Sequence, residues 1–400
     1  MPNTISMENI VVLIFLSLLT VPSWISASQF SGGVFRKTAE AKLFNDTIII
    51  RAPETVIGGR DDVVISRGNR QNPGAEGAGF RCHSYDLRPI LTDTELQITE
   101  IKPVVTSSQF PDEWGSIVHH MDIFACQPKI EFQIPENIQE RNYWCSRNGF
   151  MTMNKQGAGC SQMIWVHDKE ALKYKFPPGT GIRLGNNTGY THFLLQIHYL
   201  LPKGYRVGRE DGFLDSSGFE ISTGSPGTLD SHLFAFIDPK MVISPGQKNY
   251  HFSVHLSSSD LARIVGPDLK QFGKIKPFAV HLHAHNYAKA LWLDHIRNGK
   301  KIDEYGSLNP FHGYGPDQSF FDLPKNATSI RPGDSLTFNC VYDTTSVRNR
   351  MIRFGVGHGD EMCGPIILYT PHGKDYSTPN LAESSCPGYG RCKNNPRRLG

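Results

Sequence analysis

Among the 400 residues of this chain, 16 histidines and nine methionines offer the most chemistry, and a few of them recur at spacings that could hold a metal. His119 and His120 are adjacent and are followed by Met121. Neighbours on a regular strand leave opposite faces, so both rings reach one ion only if the backbone bends or if they close on it from either side. His198 lies in the apolar run Leu194-Leu195-Gln196-Ile197-His198-Tyr199, where an unpartnered imidazole is costly to bury, and Gln196 sits two residues earlier on the same face. His281, His283 and His285 occupy alternate positions, which puts all three on one strand face with successive Cα atoms ~6.6 Å apart. Two neighbours can share an ion at that spacing and the outer two cannot easily, so His281 with His283 is the favoured pair. Taken singly, each group has a plainer reading: a surface histidine pair, a core histidine bonded to a carbonyl, a solvated strand face. Met362, in Gly359-Asp360-Glu361-Met362-Cys363, ordinarily reads as core filler. Imidazoles combined with a thioether favour copper, particularly the reduced ion, over zinc, calcium or magnesium.

Strands must position these side chains. Tyr250, Phe252, Val254 and Leu256 alternate with His251, Ser253 and His255; Leu336, Phe338, Cys340 and Tyr342 alternate with Thr337, Asn339 and Val341. Helical periodicity is confined to a turn or two near residues 259–265. With 38 glycines and 26 prolines punctuating short strands, the expected fold is all-β: two consecutive antiparallel β-sandwich, jelly-roll-like domains. They are placed at 35–207 and 216–375, divided where glycines and charges thin the apolar pattern at 206–217, with a loop-rich tail over 376–400. Residues 10–20 form a short apolar run before Pro22 and a small-residue stretch, which reads as a signal peptide, 1–27, cleaved near Ala27. No other segment approaches the ~20 apolar residues of a membrane span, so an exported protein without a transmembrane segment is expected, secreted or in the secretory-pathway lumen. Lys+Arg 41 against Asp+Glu 38 leaves a net charge of +3 and no basic surface for nucleic acid. Eight cysteines in an exported chain point to disulfides, in any of 105 pairings, and no C-x-x-C pair argues for a thiolate metal site. Asn45, Asn186 and Asn326 head glycosylation sequons.

His119-His120-Met121 with Cys126, Gln196-x-His198-Tyr199, His281-x-His283 and Asp360-Glu361-Met362-Cys363 together resemble the copper type II, ascorbate-dependent monooxygenases, in order and spacing, over roughly residues 81–370. That family includes peptidylglycine α-hydroxylating monooxygenase and the dopamine and tyramine β-hydroxylases. The resemblance implies two sandwiches, each holding one copper across a solvent-filled cleft. His119, His120 and His198 would bind an electron-donor copper, with Gln196 among the cofactor-binding residues. His281, His283 and Met362 would bind the oxygen-activating copper and form the catalytic centre. Ascorbate would be the reductant, dioxygen the co-substrate and an aliphatic C–H bond of a small molecule or peptide the target. It also implies the disulfides Cys82–Cys145, Cys126–Cys160 and Cys340–Cys363, leaving Cys386 with Cys392. The chain departs from the peptide-amidating pattern at Ala279, where those enzymes carry an arginine for the substrate carboxylate, and at Gly364-Pro365-Ile366, where they carry Asn and Tyr. A length without a further N-terminal or fused lyase domain, together with residues 309–321, looks nearer the peptide hydroxylase. The expected function is a peptidylglycine monooxygenase-like hydroxylase; an amine β-hydroxylase and a catalytically silent copper-binding homologue are the alternatives.

Overall fold

A computed structural model describes residues 39–40, 43–44, 46–59, 78–86, 90, 96–106, 116–126, 162–168, 173–184, 192–202, 204–206, 211–225, 227, 229–313, 315–355, 357, 359–371 and 393–394. The fold is all-β, with multiple antiparallel sheets and two short helices among the described residues. Four strands carry the first sandwich's side of the story: β1 (Ala78–Asp86), β2 (Val118–Cys126), β3 (Gln162–Asp168) and β4 (His192–Leu200). They form one sheet in the order β1-β4-β2-β3, antiparallel throughout, with Ala39–Glu40 added in parallel at the β1 edge. A second sheet built on Leu96–Val104 and Gly218–Gly224 covers one face of it. Ile98, Ile101, Ile123, Phe193, Leu195, Ile197, Phe219 and Ile221 are all fully buried within this first core.

The second sandwich pairs β5 (Ile275–Ala284) with β6 (Cys363–Pro371) in a four-stranded sheet. Its partner sheet contains Ala288–Arg297 beside Ser335–Tyr342, and Val280, Leu282 and Ala284 of β5 point into the core between the two. The helices Ser258–Ile264 and Gly266–Phe272 follow one another; Ser257 Oγ caps the first by accepting the Asp260 N–H, and Gly273, at φ 72°, ends the second.

The passage between sandwiches differs from the expectation of 206–217. Gly218–Gly224 pairs with Leu96–Val104 and with Thr47–Arg51, and Leu229–Asp230 pairs with Thr180–Leu184, so the first sandwich runs to Asp230. The second begins with the strand His232–Ala235, which pairs with β6. Within 206–217, Phe213–Asp215 is itself a strand, paired with Thr55–Ile57, and Asp215 and Ser217 are buried, so the glycines and charges there do not mark a linker.

The face of β3 and β4 that points away from the first core is buried too, against the matching face of β5 and β6. Leu194, Gln196, His198 and Leu200 are all buried although they point away from Phe193, Leu195 and Ile197. Ala279, Ile366 and Leu368 join the first sandwich's apolar cluster, and Trp165 stacks on Phe320 with ring centroids 4.5 Å apart. Tyr174 donates to Asp322 Oδ1 at 2.8 Å across the same boundary. The two outer faces carry the histidines.

Candidate metal centre

On β2, the ladder with β4 pairs His198 with His120 and then Tyr199 with Val118, skipping His119. His119 is therefore the extra residue of a β-bulge, and the bulge supplies the bend that two adjacent imidazoles need to share a face. The nitrogens converge: His119 Nδ1 lies 3.2 Å from His120 Nδ1, which lies 3.3 Å from His198 Nδ1. Phe80 stacks on the His198 ring at 4.2 Å and 9°, holding its plane. His120 Nε2 is 3.4 Å from Asp122 Oδ2, which leaves its Nδ1 turned toward the other two rings. Burial pushes the His120 pKa down to about 4, so the ring is neutral with a lone pair to offer. The two separations of 3.2 and 3.3 Å from His120 are about the edge of a coordination shell with ~2.0 Å bonds, and all three ligand atoms lie within 4.8 Å of one another, so these residues fit a nitrogen-liking ion such as copper. Gln196 is on the same face two residues from His198, with its Nε2 3.7 Å from Cys82 Sγ.

His281 and His283 leave β5 on the face opposite its core residues, and β3 of the first sandwich meets them. Asp168, the last residue of β3, is paired with His120 in the ladder and therefore shares its face. Its Oδ2 lies 3.2 Å from His281 Nε2 and 3.0 Å from His283 Nδ1. Gln318 Oε1 lies 3.4 Å and 3.1 Å from the same two nitrogens. Burial lowers the His281 pKa to about 4. For His283 the desolvation is outweighed by the charge and hydrogen bond of Asp168, and its pKa is raised. Burial opposes ionisation of Asp168, yet His283, His281 and His120 around it hold the carboxyl well below its usual range.

Met362 follows Glu361, whose buried carboxylate accepts the backbone N–H groups of His285, Tyr287 and Met362 at 2.9, 2.7 and 3.2 Å. Burial raises the Glu361 pKa to about 7 against the pull of those three donors. The register pairs Ala284 with Cys363, so Met362 continues β6 opposite His285, on the face that carries His281 and His283. Among the described residues, Asp168 and Gln318 place oxygens within 3.0–3.4 Å of the His281–His283 nitrogens. His285 stands between the two sets: its ring centroid is 5.4 Å from that of His119 and 5.2 Å from that of His283, and its Nδ1 meets the Asp360 carbonyl at 3.0 Å. In place of the solvent-filled cleft implied by the resemblance, the two sets are bridged by Asp168 and His285 and flank a small cavity lined by His119, Asp168, His283, His285 and Gln318.

Cys340 and Cys363 form a disulfide, as the resemblance implies. Cys82 is also disulfide-bonded, to a partner outside the described residues. Cys145, Cys160, Cys386, Cys392, the Cys126 side chain, Asn45, Asn186 and the signal-peptide segment likewise lie outside them. Asp168 and Gln318 were missed by sequence reasoning. A carboxylate closing the apolar strand Gln162–Asp168 was a signal for the first; Gln318, in the short 3-10 turn Gly315–Gln318, gave none.

Both halves of the chain match models of one protein family. The profile of the copper type II ascorbate-dependent monooxygenase N-terminal domain matches residues 67–206, and that of the C-terminal domain matches 231–391. MOXD1 homolog 1 of Drosophila melanogaster is 30% identical over 268 residues, covering 64% of this chain and 36% of its own length. Tyramine beta-hydroxylase of Caenorhabditis briggsae is 27% identical, covering 68% of this chain and 42% of its own length. Peptidylglycine alpha-amidating monooxygenase of Rattus norvegicus is 25% identical, covering 89% of this chain and 32% of its own length. The chain thus spans well under half the length of these relatives. Both halves of the family signature are present in order, and the chain belongs to the copper type II, ascorbate-dependent monooxygenases.

Proposed function

We propose that the chain hydroxylates an aliphatic C–H bond, using two coppers per chain, ascorbate as reductant and dioxygen as co-substrate, in the secretory pathway or outside the cell. The observation that carries this reading is the convergence of two histidine sets on facing outer surfaces of the two sandwiches. His119, His120 and His198 would hold the electron-donor copper. His281, His283 and Met362 would hold the other, which when bound supplies dioxygen activation and the one-electron chemistry of C–H cleavage. The protein's own part is to fix the rings and exclude bulk water. Phe80 and the bulge orient the first set, Gln318 and Asp168 orient the second, and Glu361 ties the Met362 segment to the end of β5.

Among family substrates, the chain's residues favour an amine over a peptide carboxylate. The position of the missing arginine, Ala279, is buried and pairs with Asp322 in the ladder, so neither residue supplies the cation that a free C-terminal carboxylate would need. Metal analysis, and oxygen uptake with phenylethylamines and with glycine-extended peptides, test both levels of the reading. Two coppers per chain, ascorbate-dependent uptake and faster hydroxylation of the amines are expected. Met362→Ile should abolish turnover while the first histidine set still loads. One copper per chain, retained zinc after copper challenge, or no coupled product with any substrate would contradict the function; preference for the free carboxylate would contradict the substrate class alone.

A further inference from the structure

Two ring nitrogens and two oxygens meet at β5. His281 Nε2 and His283 Nδ1 each face both Asp168 Oδ2 and Gln318 Oε1, giving four N···O separations of 3.0–3.4 Å. Each of these nitrogens carries at most one hydrogen, so two hydrogens would have to serve four contacts. A cation between the four atoms would serve them all, and 3.0–3.4 Å is about the edge of a shell with ~2.1 Å bonds. The Gln318 oxygen is aimed rather than incidental: its Nε2 is committed to the Ala284 and Gly313 carbonyls at 2.9 and 3.3 Å. Asp168 is buried and comes from the other sandwich, with its second oxygen 4.0 Å from His120 Nδ1.

We propose that Asp168 is a metal ligand, so that the His281–His283 site is completed across the boundary between sandwiches. This rests on the copper reading above. The donor chemistry makes the role specific: carboxylate and carbonyl oxygens with imidazoles suit the divalent ion, whereas the Met362 thioether suits the monovalent one. Asp168 would thus strengthen the site for the oxidised ion more than for the reduced one, to which the Met362 thioether is suited.

The test uses the full chain in a His119→Ala background, in which chelator-competed titration reads the second site. Asp168→Asn should weaken Cu(II) binding about 10 to 100-fold, the cost of losing a partner at a metal site, and change the Cu(II) hyperfine splitting in electron paramagnetic resonance. Cu(I) affinity should stay within about threefold. Asp168→Glu keeps the charge but moves the oxygens, so a ligand role changes the splitting and a purely electrostatic role leaves it as in the parent. Unchanged Cu(II) affinity and splitting in Asp168→Asn overturn the inference, as does an unchanged splitting in Asp168→Glu should Asp168→Asn fail to fold. If His281→Ala and His283→Ala also leave the second copper in place, the copper reading itself fails; if they remove it while the Asp168 variants do not, this inference alone fails.

Discussion

His83, on β1, shows what a single buried imidazole does to folding. Burial, helped by the Arg81 charge, pulls its pKa to about 3, against about 6.5 in an unfolded chain. A depressed folded pKa means that the unfolded chain takes up a proton the native state refuses, so stability is full above about pH 6.5 and falls as the pH drops toward 3. The loss is about 1.4 kcal/mol per pH unit, or about 2 kcal/mol between pH 6.5 and 5. Urea denaturation at those two pH values should show a loss in His83→Leu smaller than the parent's by about that amount, the parent's own loss also containing the other buried histidines; equal losses would refute the assignment. Residue chemistry of this kind was partly legible: His198 stood out because an imidazole in an apolar strand needs a reason. Gln318 did not, because its role comes from a fold-back that brings residue 318 beside residues 281 and 283.

The bulge is the element on which the first site turns. With His119 removed, the pairing of His198 with His120 and of Tyr199 with Val118 would become an unbroken ladder. Deleting His119 should therefore keep the sandwich folded, with near-ultraviolet circular dichroism like the parent's, while copper falls from two per chain to one. A globally unfolded deletion variant, or one that keeps both coppers, would count against the bulge as the device that gathers the rings. The sequence identified two adjacent histidines and the bend they need; it did not contain the bend, which arises from pairing with a strand some 70 residues away. The second histidine pair needed no such device. Alternation alone puts His281 and His283 on one face, and the turn-bounded alternation of Ser335–Tyr342 was equally plain.

At the scale of the whole molecule, the docked faces decide what the missing arginine means. From the residues alone, restoring Arg at position 279 should recover recognition of a peptide carboxylate. Ala279 has no exposed surface and packs with Ile366, Leu368 and the first sandwich's apolar cluster. An arginine there would overfill the interface and bury a charge, so Ala279→Arg should cost about 3 kcal/mol or more and gain no activity on glycine-extended peptides. Chemical denaturation and peptide hydroxylation assays check this together; a stable variant with raised peptide turnover would mean that the two faces part during the reaction.

The all-β class, the spacing of the candidate histidines and the family were determined by the sequence itself, because period-two alternation and H-x-H spacing are local properties that a single strand carries. Where one sandwich ends, which carboxylate faces His281 and His283, and whether the two histidine sets stand apart or meet were decided only in three dimensions. Those depend on which strands pair at long range and on how two buried outer faces dock. Neither the strand Gly218–Gly224 nor Asp168 carries a mark in its own neighbourhood of the partner it finds.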